Sequence, residues 1–119
     1  MYLGWFELGL DVRNIEKSLK FYEALGFQLV EGSIEERTVT LQKDDCRLAL
    51  YQGYIKGNQL IFRGGDVRNI AHEATQKGLS FETEPFVGDD GGTGAMLRDP
   101  DGNGVYLVNH PGEVRRGPR

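Results

Sequence analysis

The chain reads as one α+β domain built from two βαβββ modules. Three observations point there. At 119 residues it has room for a single buried core and too little for two independent ones. The pentapeptide Asp-Val-Arg-Asn-Ile occurs twice, at Asp11 to Ile15 and at Asp66 to Ile70. Each copy follows an apolar, strand-like stretch and opens a helix-like one, which is the signature of a duplicated unit.

Taken in order, Leu3 to Leu10 alternates Phe6, Leu8 and Leu10, the period of a strand with one face on a core. Asn14 suits the N-cap of the helix that follows, with Glu16 at the positive end of its dipole. Ile15, Leu19, Tyr22 and Leu25 recur at helical spacing until Gly26 supplies a left-handed stop. Phe27 to Val30, Arg37 to Gln42 and Arg47 to Tyr51 read as strands separated by Glu-Gly-Ser and Lys-Asp-Asp turns. The second half repeats the order. Asn58 to Arg63 is a strand, Asp66 caps a helix carrying Val67, Ile70, Ala71 and Ala74, and Gly78 stops it. Leu79 to Glu82, Ala95 to Arg98 and Val105 to Asn109 are the closing strands, and Gly88 to Gly94 forms the longest loop, a lid or a long hairpin connection.

Which residues correspond depends on register. The pentapeptides stand 55 apart, but that offset leaves the helix stops Gly26 and Gly78 out of step. An offset of 52 aligns the glycines, the caps Asn14 and Asp66, and the apolar pairs Ile15 with Val67 and Leu8 with Leu60. Burial pattern outranks letter identity, so 52 is the structural register.

Composition narrows the function. A net charge of −4 argues against a broad basic face for nucleic acid. No apolar run approaches the roughly 20 residues that span a bilayer, and no secretion signal opens the chain, so a cytoplasmic location away from membranes is expected. The single Cys46 precludes an internal disulfide and fits a reducing compartment. By alternation it should face the helix as a small core residue. The domain is expected over residues 1–110, with modules at about 3–53 and 57–109 and a flexible tail at 111–119 carrying Arg115, Arg116 and Arg119.

Two motifs carry a family resemblance. Val12-x-Asn14-x-x-x-Ser18-x-x-Phe21-Tyr22-x-x-Leu25-Gly26-Phe27 resembles the first-module signature of the vicinal oxygen chelate superfamily, which includes glyoxalase I, extradiol dioxygenases and bleomycin-resistance proteins. Arg98-Asp99-Pro100-Asp101-Gly102-Asn103 with Val105-Tyr106-Leu107 resembles its closing hairpin. The motifs themselves specify fold: Phe21, Tyr22 and Leu25 pack a helix, and Asp-Pro-Asp-Gly-Asn makes a turn. The resemblance implies a curled mixed sheet around a cavity, helices on the outer face, and a homodimer.

In metal-dependent members four inward-facing strand positions hold the ion. Carried over, they fall on Glu7, Ala49, Gln59 and Tyr106. A catalytic divalent metal generally needs about three protein ligands. Ala49 has no donor atom, neutral Tyr106 is a poor one, and His72 and His110 lie elsewhere as surface positions with no ligand role. No metal or other cofactor is therefore expected, and the four positions are vestigial.

Alternation places Trp5, Glu7, Arg47, Tyr51, Gln59, Arg63, Met96, Arg98 and Tyr106 on the cavity face as candidate ligand-binding residues. Aromatic walls with three arginines suit a small aromatic or anionic molecule. The competing reading is that these arginines snorkel to water or pair with Glu7 and nearby acids. Glu7 is the one candidate catalytic group, as a general base in apolar surroundings. The leading expectation is metal-independent binding of a small molecule, as in bleomycin-resistance-type proteins. The alternatives are a metal-dependent lyase, isomerase or dioxygenase of glyoxalase type using Glu7 and Gln59 as partial ligands, and a non-catalytic structural or regulatory module.

Overall fold

The structure is a computed structural model that describes residues 1–113, so the arginines of the expected tail lie outside the described residues. Eight strands and two helices run in the order β1 (Gly4–Asp11), α1 (Ile15–Ala24), β2 (Gln28–Ser33), β3 (Thr38–Lys43), β4 (Cys46–Tyr51), β5 (Gln59–Gly64), α2 (Val67–Gln76), β6 (Thr83–Val87), β7 (Thr93–Arg98) and β8 (Gly104–Asn109). The element order is the duplicated βαβββ, and the fold is α+β. The chain divides into two compact units: one runs from Glu7 to Asn58, and the other joins Met1–Phe6 to the residues from Gln59 onward. The division falls inside β1.

In the Glu7–Asn58 unit the strand order is β2-β3-β4-β1. β1 runs parallel to β4, with Leu8 opposite Leu48 and Leu10 opposite Leu50, and the other neighbours are antiparallel. Ile15 of α1 packs with Val39, Leu41, Leu48 and Leu50, and Leu19, Tyr22 and Phe27 close over them. Removing these aliphatic side chains from water is what holds helix to sheet, at about 1.5–3 kcal/mol each before the entropy of ordering is subtracted. The second unit repeats the plan as β5-β8-β7-β6, with β5 parallel to β8. Val67 and Ile70 of α2 pack on Ala95 and Leu107, flanked by Leu3, Phe62, Phe81 and Leu97.

The helix ends follow the expected chemistry. Asn14 Oδ1 accepts from Lys17 N at 3.1 Å and Asp66 Oδ1 from Asn69 N at 3.1 Å. Each helix closes with a bond from beyond its end, Phe27 N to Tyr22 O and Leu79 N to Ala74 O, around Gly26 and Gly78 at φ +104° and +93°. Such a turn requires a left-handed residue, which glycine adopts without Cβ strain. The helices span Ile15–Ala24 and Val67–Gln76, so the offset of 52 holds to the residue at both ends.

Four expectations are corrected. The strand expected at Leu79 to Glu82 lies at Thr83–Val87, because Leu79 is spent closing α2. Pro85, which lacks an N–H, is accommodated where the β6–β7 register shifts between Thr83 and Phe86, on an edge strand. Second, Glu31, Gly32 and Ser33 extend β2 instead of turning, past a register shift between Leu29 and Glu31, and Arg37 turns the chain at φ +62°. Third, Cys46 is exposed: it opens β4 opposite Lys43, beyond the reach of α1. Fourth, Phe21 is 61 % exposed and Leu25 57 %, since only the Ile15–Leu19–Tyr22 edge of α1 meets the sheet. Phe21 instead stacks edge-on against Tyr22, ring centroids 5.1 Å apart.

Candidate functional site

In the Glu7–Asn58 unit the residues opposite the helix face are decided by β4. Leu48 and Leu50 point into the core with α1, so Arg47, Ala49 and Tyr51 point the other way, with Gly9 and Thr40 across from Ala49. Here Glu7 and Arg47 meet. Arg47 Nε donates to Glu7 Oε1 at 3.1 Å, and their side chains are each only 1 % exposed. Arg47 Nη1 donates to Gln42 Oε1 at 2.6 Å, and Gln42 Nε2 in turn donates to Asp44 O at 2.9 Å. The result is a run of hydrogen bonds from carboxylate to backbone, the two to the guanidinium charge-assisted and buried.

This arrangement assigns Glu7 a chemistry. A metal taken up through Glu7 Oε1 would compete with the Arg47 guanidinium and leave a buried cation without its counter-charge. The other metal position of this unit, Ala49, is fully buried and has no donor. Tyr51 stands four residues along β4 from Arg47, about 13 Å at the rise of a strand, and packs edge-on with Tyr54 at 6.3 Å. Glu7 and Arg47 are therefore brought together, and Tyr51 belongs to the other end of the strand.

In the second unit, β8 lies between β5 and β7, and its pairings place three rows on the face turned away from α2. They are Gln59–Gly104–Arg98, Ile61–Tyr106–Met96 and Arg63–Val108–Gly94. Gly104 makes room in the first row for its neighbours' side chains. Met96 Cε, Gln59 Cγ and Arg98 Nη1 come within 2.9, 3.3 and 3.6 Å of where a Cβ would stand. The hydroxyl of Tyr106 would be 2.7 Å from a Cβ on Gly94, so glycine is what lets the ring lie there. Burial raises the Tyr106 pKa above the usual 10.0; the positive charge of Arg63 opposes the shift and the negative charge of Asp90 adds to it. The phenol stays neutral at ordinary pH and offers a hydroxyl donor.

The two arginines of these rows, Arg63 and Arg98, hold carboxylates. Arg63 Nη1 lies 3.0 Å from Glu113 Oε2. Arg98 Nε lies 3.2 Å from Glu82 Oε1, and its Nη1 donates to Gly102 O at 3.0 Å on the protein surface. Trp5 packs its ring edge against Gly64, and its Nε1 is the one buried side-chain polar atom without a hydrogen-bond partner among the described residues. A buried donor left unpaired costs about 1–3 kcal/mol.

Alternation alone did not reveal two further polar constellations. Asp99 accepts from the amides of Asp101 and Asn103 and from Asn103 Nδ2, all within 2.9 Å, which pulls its pKa below 3.8 and knots the β7–β8 turn. His110 meets Asp90 of the glycine-rich loop at 2.7 Å, whereas His72 stands exposed on α2. The sequence signal for the second was a histidine just after β8 with acids nearby, too common a pattern to single out.

The donor sets do not suit a divalent ion. One unit offers a carboxylate already bound to Arg47 and a methyl group; the other offers a neutral amide and a neutral phenol. Among the described residues no three His, Cys, Asp or Glu side chains are placed to hold a metal. Nor is any helix among them long and apolar enough to cross a membrane.

Comparison with known proteins agrees with the fold. The family model described as Glyoxalase/Bleomycin resistance protein/Dioxygenase superfamily matches residues 4–107. No curated protein matches. A structure from Legionella pneumophila, described as an NAD-dependent benzaldehyde dehydrogenase, superposes with a TM-score of 0.76 at 23 % identity, covering 88 % of this chain and 98 % of that one. A glyoxalase/bleomycin resistance protein/dioxygenase superfamily member from Vibrio splendidus 12B01 gives 0.66 at 17 % identity, covering 87 % and 97 %. The Mn(II)-bound glyoxalase from Novosphingobium aromaticivorans gives 0.63 at 19 % identity, covering 92 % of this chain and 38 % of that one. At these identities the likeness is one of fold.

Proposed function

We propose that this chain, which belongs to the Glyoxalase/Bleomycin resistance protein/Dioxygenase superfamily, works without a metal and binds a small aromatic or anionic molecule on its strand-lined face. The observation that carries the first half of this reading is the buried Glu7–Arg47 pair. It occupies the carboxylate that a metal or a proton-abstraction mechanism would use. Its fellow position in that unit, Ala49, has no donor atom.

The second half rests on Trp5, Met96 and Tyr106. Trp5 supplies an indole edge and an unpaired N–H, Tyr106 a neutral hydroxyl, and Met96 a deformable apolar contact. A carbonyl or carboxylate oxygen is the acceptor that an unpaired indole N–H lacks. Because that nitrogen is closed to solvent, the ligand must displace neighbouring side chains to reach it.

Trp5 is the chain's one tryptophan, so its fluorescence reports this face directly. A panel of aromatic carboxylates, phenols and aliphatic acids should yield saturable quenching and a rise in melting temperature for at least one class, both abolished in Trp5→Phe and Tyr106→Ala respectively. A panel that changes neither signal at millimolar concentration removes the binding reading. Calorimetric titration with manganese, nickel, zinc and ferrous iron decides the metal separately. One equivalent bound by the wild type but not by Glu7→Gln overturns metal independence.

A further inference from the structure

We propose that Arg63 selects a carboxylate on the ligand and that Glu113 is a built-in stand-in for it: a small aromatic acid displaces Glu113 and takes its place on the guanidinium. The proposal rests on the binding reading above. It narrows that reading from aromatic or anionic molecules to carboxylates with an aromatic body.

The three arginines expected on the cavity face hold their carboxylates in different ways. Arg47 is sealed from water with Glu7, and Arg98 meets Glu82 on the open surface. Arg63 lies between these cases. Its Nη1 donates to Glu113 Oε2 at 3.0 Å, with both side chains 16 % exposed. Moreover, this carboxylate does not come from the sheet. Asn109 ends β8, and Glu113 follows in a turn in which Glu113 N donates to His110 O at 3.0 Å and Glu113 Oε1 accepts from His110 N at 3.4 Å. The side chain can therefore leave Arg63 without breaking a strand pairing, which Glu7, placed within β1, cannot do.

The surroundings of Arg63 fit an aromatic acid. Arg63 heads the row Arg63–Val108–Gly94, and the Tyr106 hydroxyl lies over the far end of that row, 2.7 Å from where a Gly94 Cβ would stand. Two strand spacings separate the ends, about 10 Å. Guanidinium and hydroxyl thus reach in from opposite sides, close enough for the charge of Arg63 to be felt at the phenol. Both are donors suited to carboxylate oxygens. Asp90, the acid whose charge also reaches Tyr106, is already engaged by Gly92 N at 2.9 Å and His110 Nε2 at 2.7 Å. The Trp5 ring packs on Gly64, the residue next to Arg63, so the one indole of the chain stands beside this site. Arg63 already holds one carboxylate, so a group of that size and charge is accommodated.

Matched pairs of an acid and its neutral amide test this on the whole chain: benzoate with benzamide, and phenylacetate with phenylacetamide, titrated against Trp5 fluorescence. The wild type should prefer each acid. Glu113→Gln keeps the shape of the side chain and removes its charge. If Glu113 holds Arg63 about nine-tenths of the time, its loss should tighten the acids about tenfold and the amides by under about twofold. Glu113→Ala, which leaves no amide to contact Arg63, should do the same. Arg63→Met should erase the advantage of acid over amide, and adding Glu113→Gln to it should change nothing further. Glu82→Gln removes an equal charge from the Arg98 pair and should leave every affinity where it was. Acids and amides that bind but ignore both Glu113 variants, or an equal gain in Glu82→Gln, overturn the roles of Arg63 and Glu113 and leave the ligand reading standing. Trp5 emission that responds to no compound in any variant removes the ligand reading, and this proposal with it.

Discussion

Replacing Arg47 with methionine keeps an unbranched apolar stem and deletes the guanidinium. It leaves the Glu7 carboxylate buried without its counter-charge and takes from Gln42 Oε1 the donor now at 2.6 Å. Removing one partner of a buried ion pair costs about 3–5 kcal/mol, most of it the desolvated charge left behind. The stranded Gln42 oxygen adds to this, though not independently, because the groups form one network. A domain of this size has roughly 5–15 kcal/mol in hand, so the loss is a large fraction of its stability. The melting temperature should fall by about 10–20 °C, given roughly 3–5 °C per kcal/mol at this length.

The double variant Glu7→Leu/Arg47→Met separates charge from packing. Swapping a buried pair for apolar side chains of similar volume is often neutral or stabilising, so the double variant should recover most of what Arg47→Met loses. Urea unfolding of wild type, both single variants and the double variant, followed by circular dichroism, yields the coupling energy. The expected value is about 2 kcal/mol or more. If Arg47→Met loses under about 1 kcal/mol, or the double variant loses as much as the two singles combined, the pair does not hold Glu7 and the case against its use as a ligand or base fails with it.

Asp66→Ala deletes the cap on Asn69 N and should cost about 1 kcal/mol in urea unfolding, with Asn14→Ala similar at α1. Gly64→Ala sets a methyl 2.4 Å from Trp5 Cζ3 at φ +96°; left-handed strain of about 1–2 kcal/mol plus overpacking of about 1–3 should give a severely destabilised protein with shifted Trp5 emission. The raised Tyr106 makes the unfolded chain lose its proton first, so this group's contribution is intact below pH 10 and fades as pH climbs past it. Ultraviolet titration should therefore show a step above pH 10 that is missing from Tyr106→Phe. Asp99 runs the other way: its depressed pKa supports stability above 3.8 and that support is lost as pH falls, so Asp99→Ala should lower the melting temperature by more at pH 7 than in strong acid.

The elements that the sequence made legible are those specified locally. Asn14 and Asp66 cap through side chains that reach three residues ahead, and Gly26 and Gly78 turn the chain out of a helix, so both helix starts were placed to the residue and both ends to within two. What failed locally was β6, where the apolar letters at Leu79 and Phe81 suggested a strand and a helix-closing hydrogen bond claimed the first of them. The exposure of Phe21 was equally hidden: Phe21 and Tyr22 sit side by side in sequence, and which one meets the sheet depends on the direction from which strands far along the chain approach.

The site was legible by face, and the sequence offered the pairing of an arginine with Glu7 without saying which arginine; the two units show why. Alternation put Glu7 and Arg47 on one face, yet their contact depends on the parallel pairing of β1 with β4, a non-local register that no nearby residue encodes. In the other unit the offset drifts: Gln59 follows Glu7 by 52, but Tyr106 follows Ala49 by 57, since the glycine-rich loop and the Asp99 turn lengthen the path. In the matching row the second unit sets Gln59, Gly104 and Arg98 where the first sets Glu7, Arg47 and Gln42. The arginine has moved from the strand beside the carboxylate position to the one beyond it, and a glycine fills the vacated place. With no acid at Gln59, an arginine at the middle strand would have no buried partner, and Arg98 instead reaches Glu82 at the surface. Duplication preserved the frame while the charge of each row was balanced separately.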